Sequence, residues 1–162
     1  MKASSKHVLR IILLILIAVS LMSIFVQSML PREKSQAESD KVGEIVDEII
    51  PPESPVHKPI KQNLRKIAHF VEFATLGLWT SLYVVFFMPG LKWQLHSLIW
   101  GFLSAAVDET IQIFSGRGPA VKDVWIDFVG FLFSALIVYT VWWIAFFIHK
   151  KKQTNVDIQA GE

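Results

Sequence analysis

Five carboxylates, Glu72, Asp108, Glu109, Asp123 and Asp127, lie inside or at the ends of three long apolar segments. An acid at the centre of a bilayer costs about 2.5–3.5 kcal/mol on insertion scales, so a chain that keeps several there has to give each one a partner or water. Helices that turn a shared polar face inward meet that demand. Composition identifies the solvent: 52% of the 162 residues are hydrophobic and the charges gather between apolar stretches, as in a multispanning membrane protein. The net charge of +2 includes no basic block with interleaved aromatics, which argues against nucleic acid as a partner. Cysteine is absent, which excludes disulfides, thiolate catalysis and thiolate zinc sites.

Four apolar runs are long enough to consider as spans. The first, 11–30, follows Lys2, Lys6 and Arg10 and stops at Pro31-Arg32. It is longer than the apolar part of a signal peptide and no Ala-x-Ala site follows it, so it is expected to be a retained anchor. The second, 67–88, ends at Pro89-Gly90; the third, 97–114, carries Asp108, Glu109 and Gln112; the fourth is 124–148. Each segment has to satisfy its own backbone hydrogen bonds, and the expectation is an all-α integral protein of the cell membrane, a four-transmembrane-helix bundle.

Basic residues set the orientation. Lys2, Lys6 and Arg10 precede the first helix, Lys92 lies between the second and third, and Lys150, Lys151 and Lys152 follow the fourth. Their density at the ends places both termini, 1–10 and 149–162, in the cytoplasm, against a thinner scatter of Lys and Arg across 32–66 and at Arg117 and Lys122. Beyond Lys152 the tail reads as unstructured. Within the extracytoplasmic loop 31–66, Val42, Ile45, Val46, Ile49 and Ile50 recur at helical spacing after Ser39-Asp40, which can cap a helix, and before Pro51-Pro52, which ends one. A short amphipathic helix is therefore expected over 40–50, lying on the membrane or over the bundle.

His69 and Glu72 stand three residues apart near the start of the second span. Asp108 and Gln112 stand four apart near the end of the third, as do Asp123 and Asp127 at the start of the fourth. Each pair shares a helix face, and because successive spans are antiparallel all three pairs lie toward one membrane surface, the outer one in this topology. The connection containing Arg117 crosses above them, with Lys66 and Lys122 adding positive charge. Glu109 is rotated about 100° from Asp108 and is expected to meet a different neighbour. Gly77, Gly101 and Gly130 are expected to let helices approach closely.

These residues fall in ordered motifs: 66–73 (KIAHFVEF), 108–114 (DETIQIF), 116–119 (GRGP) and 123–130 (DVWIDFVG). Together they resemble the signatures of the VanZ-like family, over about 61–148, with the first helix and the outer loop outside the motifs. The founding member of that family is associated with low-level resistance to teicoplanin, a glycopeptide antibiotic, so the resemblance implies a part in glycopeptide resistance or a related envelope process. Two positions depart from the pattern: members often carry His where this chain has Ile111, and Asn where it has Asp127.

Physically, the cluster of His69, Glu72, Asp108, Glu109, Gln112, Arg117, Asp123 and Asp127 admits three uses. It could bind a lipid headgroup, an envelope glycan or a cell-wall precursor, through a guanidinium that grips phosphate or carboxylate and acids that accept from sugars or amines. It could act as an acid–base or metal-assisted enzyme on a lipid-linked substrate. It could also be internal pairing that locks helices together. Binding without catalysis is the preferred reading, and the pattern names no cofactor or metal.

Overall fold

The computed structural model describes residues 3–116 and 121–160, and among them every regular element is an α-helix. In chain order these are α1 (Ala3–Met29), α2 (Arg32–Ile49), α3 (His57–Gln62), α4 (Leu64–Phe87), α5 (Leu91–Phe114) and α6 (Val121–Ala160). Three segments, Ser4–Met29, Leu64–Phe87 and Val121–Thr154, are long and apolar enough to cross a membrane. The apolar outer surface of the bundle fits that solvent: Ile15, Val19 and Met22 on α1 and Phe133, Ile137 and Val141 on α6 are all more than half exposed.

Two boundaries differ from expectation. The loop helix begins at Arg32, well before 40, because Pro31 supplies a helix start and no glycine or proline interrupts the chain until Gly43. Ser39 is thus an interior residue whose hydroxyl donates to the Ser35 carbonyl, and Gln36 donates to Asp40 one turn on, so neither Ser39 nor Asp40 opens the helix. At the other end, α6 continues unbroken through Lys150, Lys151 and Lys152 to Ala160, where an unstructured tail was expected. Its 40 residues span about 60 Å, roughly twice the hydrocarbon thickness of a bilayer.

The core forms where α4 and α6 run side by side in the same direction, with α5 antiparallel to both. Phe73, Leu76, Ala105 and Phe131 are fully buried there. A Cβ on Gly77 would collide with the backbone of Phe131, one on Gly130 with the backbone of Phe70, and one on Gly101 with the Phe131 ring. The two helices therefore touch backbone to backbone, and Phe131 fills the notch between Gly77 and Gly101, as small residues permit in membrane packing. At the end of the bundle away from the carboxylates, Trp143 donates to Gln94 at 3.0 Å and Ser97 shares a 2.5 Å hydrogen bond with Tyr139, joining α5 to α6.

Outside the apolar region, Lys61 donates to both carboxylate oxygens of Asp47, and His57 approaches the same group at 2.9 Å. This clasp folds α3 back against α2. The Lys61 ammonium is the main cause that holds Asp47 below its ordinary carboxylate pKa.

Two predictions follow from this packing. Gly77→Ala and Gly130→Ala should each lower the thermal midpoint of the detergent-purified protein: overpacking against backbone costs about 1–3 kcal/mol, which outweighs the ~1 kcal/mol gain in helix propensity. Gly43→Ala, whose Cβ would meet Lys61 and Leu64 at an ordinary 3.5 and 3.6 Å, should leave the midpoint unchanged or raise it. Because the Asp47 pKa is depressed in the folded state, the clasp contributes fully above the unfolded carboxylate value of about 3.9 and is lost as pH falls below it. The protection factors of the α3 amides, which correct for the slower intrinsic exchange in acid, should fall there, and Asp47→Asn should show the low protection already at neutral pH.

Candidate functional site

The polar ends of α1, α4, α5 and α6 meet on one side of the bundle. On α5, Asp108 is fully buried; Ser28 of α1 donates to its Oδ1 at 2.5 Å and Gln112, one turn on, donates to its Oδ2 at 2.7 Å. Gln112 in turn accepts at 2.6 Å from the guanidinium of Arg65 on the first turn of α4. One turn further along α4, the His69 ring points into the bundle, with Nδ1 3.7 Å from Asp108 Oδ2 and 3.6 Å from Asp127 Oδ1. Asp127 is also fully buried, and among the described residues neither of its oxygens accepts a hydrogen bond.

Two clefts flank His69. One runs between α1, α2 and α4, lined by Gln27, Glu38, Ser39, Arg65 and Glu72. The other runs between α4 and α6 beneath α2, lined by Gln36, Asn63, Lys66, Asp123 and Asp127. His69 and Arg65 border both, so the buried network is reached from two directions under the roof that α2 forms.

Of the residues singled out in the sequence, the structure brings His69, Asp108, Gln112 and Asp127 into direct proximity. Glu72 and Asp123 are half-buried, one in each cleft, and Lys66 is exposed at the rim of the second. Glu109 is buried next to Asp108 on α5, whereas Lys122 is exposed and lines neither cleft. Arg117 lies outside the described residues, as do Gly118 and Pro119.

Three participants were not anticipated: Ser28, Gln27 and Arg65. A signal for the first two existed, since Ser20, Ser23, Gln27 and Ser28 form a polar stripe along an otherwise apolar helix. Arg65 stands four residues before His69, the helical spacing that puts both on one face.

A family model, VanZ/LLP1, matches residues 10–148. The chain belongs to the VanZ/LLP1 family. The match starts in α1 and includes α2 and α3, and so extends beyond the 61–148 that the motifs alone cover. The physical reason is visible in the site, because α1 supplies Ser28 to Asp108 and is therefore part of the same polar unit. No curated protein and no solved structure matches the chain.

The Ser28 hydroxyl should matter to stability. Removing a donor from a buried carboxylate costs about 1.5–3 kcal/mol, so Ser28→Ala should lower the thermal midpoint measurably, while Ser28→Thr, which keeps the hydroxyl, should hold it near wild type. Equal midpoints for all three proteins would show that the bond adds nothing.

Proposed function

We propose that this protein spans the membrane four times and uses the polar end of its bundle, on the extracytoplasmic side, to bind the phosphate or carboxylate of a surface component. That component would be a lipid headgroup, an envelope glycan or a cell-wall precursor. The observation that supports this most directly is the junction of two clefts at His69, where the cations Arg65 and Lys66 border a buried set of carboxylates. Arg65 donates to Gln112 and lines both clefts, and a guanidinium is the group suited to planar anions. The acids beside it suit hydroxyl or amine groups on the same ligand. By family resemblance, the biological result is an altered response to glycopeptides such as teicoplanin, or a related envelope process.

The fourth crossing in this reading is α5. Its polar residues Gln94, Ser97, Ser104, Asp108, Glu109 and Gln112 are all buried, while Leu95, Ile99, Leu103 and Val107 are exposed. A helix with its polar face inside and its apolar face outside suits a lipid solvent even where its average hydropathy is modest.

The chain has no cysteine, so single cysteines can map its topology directly. Cysteines at Ser54 and Ser115 should react with an impermeant maleimide on intact cells, and those at Lys92 and Lys151 only after permeabilisation. The reverse pattern would turn the site toward the cytoplasm and end the surface-binding reading. In a teicoplanin-susceptible host, the wild-type chain should raise the inhibitory concentration. The double variant Arg65→Gln, Lys66→Gln, present at equal membrane level, should lose that protection, and retained protection would exclude these cations from the site.

A further inference from the structure

We propose that His69, Asp108 and Asp127 form a site for one divalent transition-metal ion of the zinc or manganese type. One ligand atom from each residue, the imidazole nitrogen and a carboxylate oxygen from each aspartate, lies within 4.8 Å of the other two. The separations from His69 Nδ1, 3.6 and 3.7 Å, are too long for hydrogen bonds. They are close to the ~3.4 Å between two ligand atoms that each sit about 2.1 Å from a tetrahedral ion. The third edge, between the two carboxylates, is at most 4.8 Å.

Asp127 points to the ion most strongly. It is fully buried, both of its oxygens accept no hydrogen bond among the described residues, and its one basic neighbour within 4 Å among them is His69. A buried carboxylate aimed at an imidazole nitrogen and at a second buried carboxylate has the surroundings of a ligand awaiting a cation. A divalent ion would neutralise the charge of Asp127, which no hydrogen bond among the described residues offsets.

The surroundings fit as well. Ser28 and Gln112 fix the orientation of the Asp108 carboxylate, the role that outer hydrogen bonds play around metal ligands. The cleft lined by Lys66, Asp123 and Asp127 gives an exchangeable fourth position access to solvent or to an anionic ligand. An imidazole donor selects zinc or manganese over calcium and magnesium, which prefer all-oxygen shells. This inference gives the binding site of the preceding section a means of gripping phosphate or carboxylate, but its test does not depend on that ligand.

The experiment uses the full, untagged chain in detergent micelles, stripped with chelator and titrated separately with Zn2+ and Mn2+ in excess Mg2+. One ion per chain is expected, with an imidazole nitrogen and oxygens in the X-ray absorption spectrum of the zinc form. Asp127→Asn should weaken binding at least tenfold with an unchanged circular dichroism spectrum. His57→Gln, which removes the surface histidine beside Asp47, should leave binding as it was. Failure of the wild type to bind either ion at millimolar concentration would overturn the site. So would equal affinity in Asp127→Asn, a loss of binding in His57→Gln, or an all-oxygen shell. If Asp127→Asn does not fold, the wild-type stoichiometry and absorption spectrum, compared with those of His57→Gln, decide. A chain that binds the ion without altering teicoplanin response keeps this inference and removes the glycopeptide reading; protection without ion binding does the reverse.

Discussion

The burial of Asp108 is the constraint around which the polar half of this bundle is organised. A carboxylate with no solvent exposure needs donors, and among the described residues Ser28 from α1 and Gln112 from its own α5 are two of them. Gln112 passes the requirement on to Arg65 of α4. The chain of hydrogen bonds from Arg65 through Gln112 and Asp108 to Ser28 thus fixes where α1, α4 and α5 end relative to one another. His69 then brings in α6 through Asp127. In a solvent without water such a network is costly to leave incomplete, which makes it a source of register as much as of chemistry.

Apolar packing supplies the other half of the specification. Lipid tails are as apolar as leucine, so helices in a bilayer gain little from burying one another's side chains and associate through close fit. The contact of Gly77 and Gly130 with facing backbone achieves that fit, and Phe131 occupies the space that the missing side chains leave. The core at Phe73, Leu76, Ala105 and Phe131 and the polar cluster near Asp108 are neighbours along the same helices, so the close fit in one holds the geometry of the other.

Much of this was legible in the sequence, for stated physical reasons. Long apolar runs ended by proline and glycine located the four long helices, although α1 and α5 begin earlier and α6 ends later than the runs do, and pairs spaced by three or four placed His69, Asp108, Gln112 and Asp127 toward one end. What escaped notice was what periodicity does not encode. Ser28 looks like any serine in an apolar helix until its partner, 80 residues away, is known. Arg65 lies where a proline-rich connector gives way to helix, and there a basic residue reads as a topology signal before it reads as a contact. The start of α2 was placed too late because Ser39 and Asp40 resemble a cap, whereas in an unbroken run of good helix formers they bond within the helix.

The wedge at Phe131 also determines which parts of the site can move. Phe131 seats its backbone on Gly77 and its ring on Gly101, which resists sliding or rotation among α4, α5 and α6, so His69, Asp108 and Asp127 ride on one stiff tripod. Among the described residues no glycine notch engages α1, whose polar ties to the tripod include the Ser28 hydroxyl, and α2 is clasped to α3 by surface charges. The aperture of the site is therefore set by its lid and side wall, and a ligand that enters works against those two helices while the groups that receive it stay still.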